Sequence, residues 1–371
     1  MNETSSALAA SAFPSLGGMT VRAALDSTTQ ASILLQIYTQ AITVTPPIIL
    51  PVEVDTLTGT KVSTEIQQHQ VTAKTNATHF LTVLNPHLAT TSASVIGFGN
   101  SWNSEFSKLM GSAAKISDQA ARADFVKGLD LLLNKIKQEQ DLLQPLLDEL
   151  GKFQALVLND HDNLSADAAL VAKAYDGVGG EIAMLKARIE LDNTQRGLYI
   201  GMIVGGVLGV VGGVVLIAVG IIATLSTLGL SVGLVLGGLA VVGGSVGALS
   251  TASGQLAALD IQISEDRKAL AKDQAVYATI AQGAHNVAAL VSAVEAGLTA
   301  LNSLQGSWQR LATDFDQVKQ DLAVANPDAG TWLTTVLSKA NDEWNDALGI
   351  AVSLQRFGSI PVKVQAVGEA A

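Results

Sequence analysis

The chain has 371 residues, 33 Asp and Glu against 22 Lys and Arg, a formal charge of −11 and no cysteine. That balance excludes nucleic-acid binding through a basic patch, and the missing thiols exclude disulfides and thiolate chemistry, which suits either a reducing cytosol or a secreted protein without bridges. Mean hydropathy is nevertheless positive at +0.36, and the excess is local: Gly197 to Leu259 holds 63 consecutive residues without an Asp, Glu, Lys or Arg.

In chain order, residues 1–18 read as a flexible, polar start. They lack the basic region and apolar core of a Sec signal, so export by another route is expected. A helix is predicted over roughly Thr20 to Ile42, followed by the extended, proline-bearing stretch TVTPPIILPVEV. Next, Phe125, Leu129, Leu132, Ile136, Leu143, Leu146, Leu150, Phe153 and Val157 keep a heptad register with Glu139 in one polar slot, and Pro145 should kink this helix without ending it. The segment Asn159-Asp160-His161-Asp162-Asn163 gathers metal-capable side chains without calcium-loop spacing. It reads as a polar turn, with Asn163 or Ser165 capping the next helix. There Leu164, Ala168, Val171, Tyr175, Val178, Ile182, Leu185 and Ile189 form a second seam. Beyond the apolar run, Val294, Leu298, Leu301, Leu304, Trp308, Leu311, Phe315, Val318 and Leu322 form a third, in a helix expected from near Gln255 to Ala323, on the order of 100 Å long. NPDAG closes it, and a last helix is expected over about Thr331 to Gln355. The fold class is therefore all-α: an elongated antiparallel bundle as a tail (19–196 and 260–357), a hydrophobic head (197–259) and a flexible C-terminus (358–371).

The apolar run divides into two arms. Leu198 to Leu225 would reach about 42 Å as a helix, and Val232 to Ser250 about 28 Å, against a bilayer core of roughly 30 Å. Together they form a spanning hairpin. The side chains expected to enter lipid are Leu198, Tyr199, Ile200, Ile203, Val204, Val207, Leu208, Val211, Val215, Leu216, Val219, Ile222 and Leu225 in the first arm. Leu228 and Leu230 follow at the tip, then Val232, Leu234, Leu236, Leu239, Val242, Val246 and Leu249 in the second arm. Gly201, Gly205, Gly209 and Gly213, and Gly229, Gly233 and Gly237, recur every fourth residue, the spacing that lets membrane helices approach closely. The tip (Ser226, Thr227, Leu228, Gly229, Leu230, Ser231) turns on hydroxyls and glycine. A charge there would cost about 2.5 to 3.5 kcal/mol at the bilayer centre. Before insertion the arms must hide from water, either folded back or as a short β-tongue, since glycine costs a helix up to about 1 kcal/mol relative to alanine and valine favours strands. Neither arm has a polar stripe, so a ring of these hairpins alone would present a dry lumen. Arg196 and Asp260, the last charges on either side, and Tyr199 are candidate interface markers.

No catalytic, cofactor or metal site is expected. Gly243-Gly244-Ser245-Val246-Gly247 fits the nucleophile-elbow pattern, with Asp260 and His285 following in order. An elbow needs a strand, turn and helix, however, and this serine stands in a membrane-length apolar run. The glycines lack the Lys-Ser/Thr of a phosphate loop. His69, His79, His87, His161 and His285 have no metal-binding spacing, and most are expected to be solvated.

Long heptad helices, a hydrophobic hairpin between two of them near mid-chain and no cysteine together resemble the α-helical pore-forming toxins related to cytolysin A, haemolysin BL and the non-haemolytic enterotoxin, with their tripartite Gram-negative counterparts. The resemblance implies a secreted soluble form, a homo-oligomeric ring in a target-cell membrane, and partner components, one of which supplies an amphipathic lining helix. The two fully apolar arms point to the B-type component. Two other readings fit the layout: a constitutive two-span membrane protein with coiled-coil arms, and a phage tape-measure-like protein.

Overall fold

The computed structural model describes residues 15–45, 47–50, 52–175, 181–208, 225–227, 230–232, 254–255, 258–259, 262, 272–323 and 329–358. The expected all-α class holds. The helices are α1 (Met19–Val44), α2 (Val52–Thr58), α3 (Val62–His79), α4 (Asn85–Ala113), α5 (Gln119–Tyr175), α6 (Glu181–Leu208), α7 (Lys272–Ala323) and α8 (Ala329–Gly358). Among the described residues one antiparallel pair joins them, β1 (Leu225–Thr227) with β2 (Leu230–Val232). The extended proline-bearing stretch is shorter than expected, because Val52 already begins α2.

The 57 residues of α5 run without a break, and this corrects the sequence reading at one place. Asn159 to Asn163 is not a turn, and neither Asn163 nor Ser165 caps a new helix: all lie inside α5. The physical reason is register. Phe125, Leu129, Leu132, Ile136, Glu139, Leu143, Leu146, Leu150, Phe153, Val157, Asp160, Leu164, Asp167 and Val171 alternate strictly by four and three, and all are buried. A helix whose buried face continues through a polar pentapeptide has no reason to stop there. Pro145 is tolerated on the exposed side of the helix, where the carbonyl it leaves without a donor can meet water. Tyr175, Val178 and Ile182 of the second seam have side chains outside the described residues.

Between α3 and α4 lies a π-helical turn, Phe80–Leu84, in which the N–H of Asn85 donates to the carbonyl of Phe80. Its cause is two residues on: Pro86 has no N–H, and its ring would collide with the carbonyl four residues back in a regular helix.

The chain forms two compact units. The first draws on residues 1–28, 87–148 and 299–356 and is built around aromatic rings. Trp308 and Trp344 stack at 5.9 Å, Phe98 lies 4.4 Å from Trp344, and Trp102 and Phe315 meet edge to face at 6.4 Å. The three indoles are essentially inaccessible to solvent. Trp344 Nε1 donates to the carbonyl of Leu16 at 2.9 Å, and Trp102 Nε1 to Asn341 at 3.3 Å. Glu139, also buried here, is bracketed by Lys135 at 2.7 Å and the hydroxyl of Ser94.

The second unit draws on residues 29–86, 149–298 and 357–371. Its core gathers Ile48, Leu50, Val54, Val62, Ile66, Val171, Ile189, Tyr277 and Ile280. Polar groups cross its helix interfaces repeatedly. Gln70 accepts the backbone N–H of Ile48, His69 pairs with Asp167, and Asn76 donates to Asp160, each at 2.8 Å.

Candidate membrane-inserting segment

The approach to the apolar run is α6. Its buried side steps through Ile189, Asn193, Arg196 and Ile200, again by four and three, while Leu191, Leu198 and Met202 are each more than half exposed. One helix thus carries the chain from a charged, packed stem into the chargeless run and continues to Leu208. Of the residues expected to enter lipid, Leu198 is exposed, Tyr199 half-buried and Ile200 buried. Gly201 faces open space, with no neighbouring side chain within 4 Å.

A polar knot sits at the foot of the arm. Gln282 on α7 donates from one amide to Asn193 at 2.9 Å and to Asn286 at 3.1 Å. Arg196, Tyr38 and His285 line a shallow cleft there with Asn193 and Asn286. Burial raises the Tyr38 phenol above its ordinary pKa, with Arg196 pulling the other way. Burial first, and Arg196 second, hold His285 below the usual imidazole range. Buried amides are stable only when paired, so this knot fixes α6 against α7 where the last charge of the stem ends. Arg196, expected as an interface marker, is packed inside the fold in this state.

At the far end, the tip expected to turn on hydroxyls forms the β pair: Leu225 opposite Val232, Ser226 opposite Ser231, and Thr227 opposite Leu230. Leu228 and Gly229, between the strands, lie outside the described residues. Arm residues 209–224 and 233–250, with most of the glycine ladder and Ser245, lie outside the described residues, as does Asp260. Among the described residues, Tyr277–Leu322 is long and apolar enough to cross a membrane by composition, but its regularly buried side chains make it a core helix.

The histidines do not converge. His79 and His87 are exposed, His285 lines the cleft at the foot of the arm, His161 lies beside Asp162 at 3.3 Å, and His69 is taken up by Asp167. Among the described residues no three His, Asp or Glu side chains are placed to hold a metal ion. Sequence reasoning missed Asp160 and Asp167 as buried residues, although carrying the four-three count of α5 past Val157 lands on both.

Residues 15–196 match the family model of the Bacillus haemolytic enterotoxin (HBL). Among solved structures the fold is similar to the HblL1 toxin component of Bacillus cereus, at 17% identity over 94% of this chain and 99% of that one, with a TM-score of 0.74. It is similar to soluble SmhA of the tripartite alpha-pore forming toxin Smh from Serratia marcescens, at 15% identity, 96% and 99% coverage and a TM-score of 0.75. Soluble SmhB of the same toxin matches at 17% identity, 94% and 94% coverage and a TM-score of 0.66, and SmhB as a pore at 14%, 91%, 99% and 0.54. No curated protein matches the sequence.

Proposed function

We propose, for a chain whose residues 15–196 match the family model of the Bacillus haemolytic enterotoxin (HBL), that it is one component of a multi-part pore-forming toxin. It is secreted in a soluble form and enters the target-cell membrane as an oligomer through the hairpin Leu198 to Ser250. The observation that carries this reading is α6, a single helix that leaves a packed, polar stem and continues into a run of 63 residues without charge. Two supports add to it. The fold lies nearer to SmhB in its soluble form than to SmhB as a pore. The tip at Leu225–Val232 is narrow and uncharged.

Residues 197–259 form the inserting head in this reading, and the remaining helices the tail. On insertion the arms become helices, and their glycines, Gly201 among them, pack helix on helix. Because neither arm has a polar stripe, a partner with an amphipathic helix supplies the wet lining, which is the B-type role.

Purified protein tests the reading in dye-loaded phosphatidylcholine vesicles. Expected are membrane association by the protein alone and dye release only when the partner components are added. Exclusive recovery from the producing cell's membrane fraction, with none soluble without detergent, would instead favour a constitutive two-span protein.

A further inference from the structure

We propose that α3 is a releasable strap: held on α5 through Asp160 and Asp167 and flanked by two backbone breaks, it leaves α5 when the soluble form converts for insertion. The inference rests on the function proposed above, since it supplies the step by which the soluble form comes apart.

The hold is unusual in kind. The buried face of α3 reads Val62, Ile66, Gln70, Ala73, Ala77, so both large apolar anchors fall at one end of an 18-residue helix. The remainder is held by polar pairs, His69 with Asp167 and Asn76 with Asp160, spaced seven residues apart on both helices. Asp160 and Asp167 are only 3% and 2% exposed. They occupy seam positions that α5 otherwise fills mostly with Leu, Phe, Val or Ile.

Of the three acids in that seam, Glu139 has two partners and Asp167 has His69. Asp160 has only Asn76, on Oδ2; its Oδ1 is buried and meets no hydrogen-bond donor of the protein. The titratable groups acting on the pair are His69, on both carboxyls, and Glu65, on Asp167, all from α3. Burial outweighs them, and both carboxyls are pushed above the usual carboxylate range. A buried carboxylate lacking part of its hydrogen bonding is a cost that the fold carries only while α3 stays in place. Release returns it to water.

The ends of α3 allow that movement. At one end Gly59 sits at φ +69°, a left-handed conformation natural to glycine, and the first turn of α3 is tethered to α2 by Ser63 donating to Asp55 at 2.8 Å (N–H) and 2.6 Å (hydroxyl). At the other end the π-helical turn Phe80–Leu84 replaces the regular ladder. Such turns are wider and less stable than an α-helical one, and recur at functional positions. A segment bounded in this way can swing out without unwinding.

The test is amide hydrogen exchange over Val62–His79, read without lipid, with the rate of association with phosphatidylcholine vesicles read beside it. Asp160→Asn keeps the shape and removes the charge. Expected are roughly tenfold slower exchange in α3, a Tm higher by about 2–4 °C, and vesicle association slowed by about tenfold. Asn76→Ala, which removes the one donor to Asp160, should speed exchange in α3. Asp162→Asn, on a side chain 81% exposed, should change none of the three. Unchanged or faster exchange in Asp160→Asn would overturn the stored cost, and equal vesicle association by wild type and Asp160→Asn would overturn the release. A wild type that never associates with vesicles would sink the function proposed above, while exchange in α3 would still decide what Asp160 costs the soluble fold.

Discussion

The two units fill their interiors in opposite ways. In the first, Trp102, Trp308 and Trp344 interlock with Phe98 and Phe315; the indole N–H groups of Trp102 and Trp344 and the carboxylate of Glu139 have partners, while the N–H of Trp308 is buried among the rings without one. In the second, polar pairs join the helices beside the apolar core: amide with amide, amide with carboxylate and carboxylate with imidazole. Aromatic packing is lost only by opening a large apolar surface to water. Polar pairs exchange protein partners for water at modest net cost. The difference teaches where such a chain can afford to be permanent: the apolar arm is rooted in the unit whose contacts water can replace.

Substitutions should separate the two in order of size. Trp344→Ala should do the most damage, about 3–5 kcal/mol of stability, because it empties the ring cluster and strips the Leu16 carbonyl of its donor; denaturant unfolding should show the midpoint falling sharply. Leu228→Asp should leave that midpoint within about 0.5 kcal/mol of wild type but cut insertion by roughly 2.5 to 3.5 kcal/mol, since the charge would have to cross the bilayer. Vesicle flotation beside circular dichroism reads both, and unchanged flotation would mean that the tip stays on the near side. Gln282→Leu, which removes the donor shared by Asn193 and Asn286, should cost about 1–3 kcal/mol and loosen the foot of the arm, seen as faster amide exchange at Asn193 to Ile200.

The smallest effect is a pH slope. Asp160 and Asp167 have carboxyls raised in the fold, first by burial. A raised acid binds its proton more tightly folded than unfolded. Its contribution is therefore most favourable below the unfolded value, near 4, and declines as pH rises through the folded value. Comparing Tm at successive pH values from 4 upward, wild type should lose ground to Asp160→Asn as pH rises; parallel curves would refute this.

The sequence made the long helices legible wherever apolar residues kept a strict count, because burial of a helix face depends on period alone. Every residue named for the first seam of α5 is buried, and the third seam is buried save for half-buried Leu298. Legibility failed where composition and period disagreed. Asn159 to Asn163 is polar enough to read as a turn, yet Asp160 falls on the buried face because neighbouring apolar turns hold the helix in phase. The polar knot was equally hidden: Asn193, Gln282 and Asn286 have no signature until two helices bring them together. The tip reads as a turn in sequence, and only the pairing of Ser226 with Ser231 shows it as a β ladder.

The unbroken count along α5 has a consequence for how such a chain can change length. From Phe125 to Val171 the acids Glu139, Asp160 and Asp167 stand 21 and 7 residues apart, whole multiples of seven. Adding or removing residues in numbers that do not return to the same helix face, as roughly 7, 11 or 18 do, would rotate one acid away from its partner and bring an outward-facing residue into the interior. Relatives with shorter or longer versions of this helix should therefore differ by such face-preserving steps, roughly 7, 11 or 18 residues, as beads are added to a string only in complete repeats.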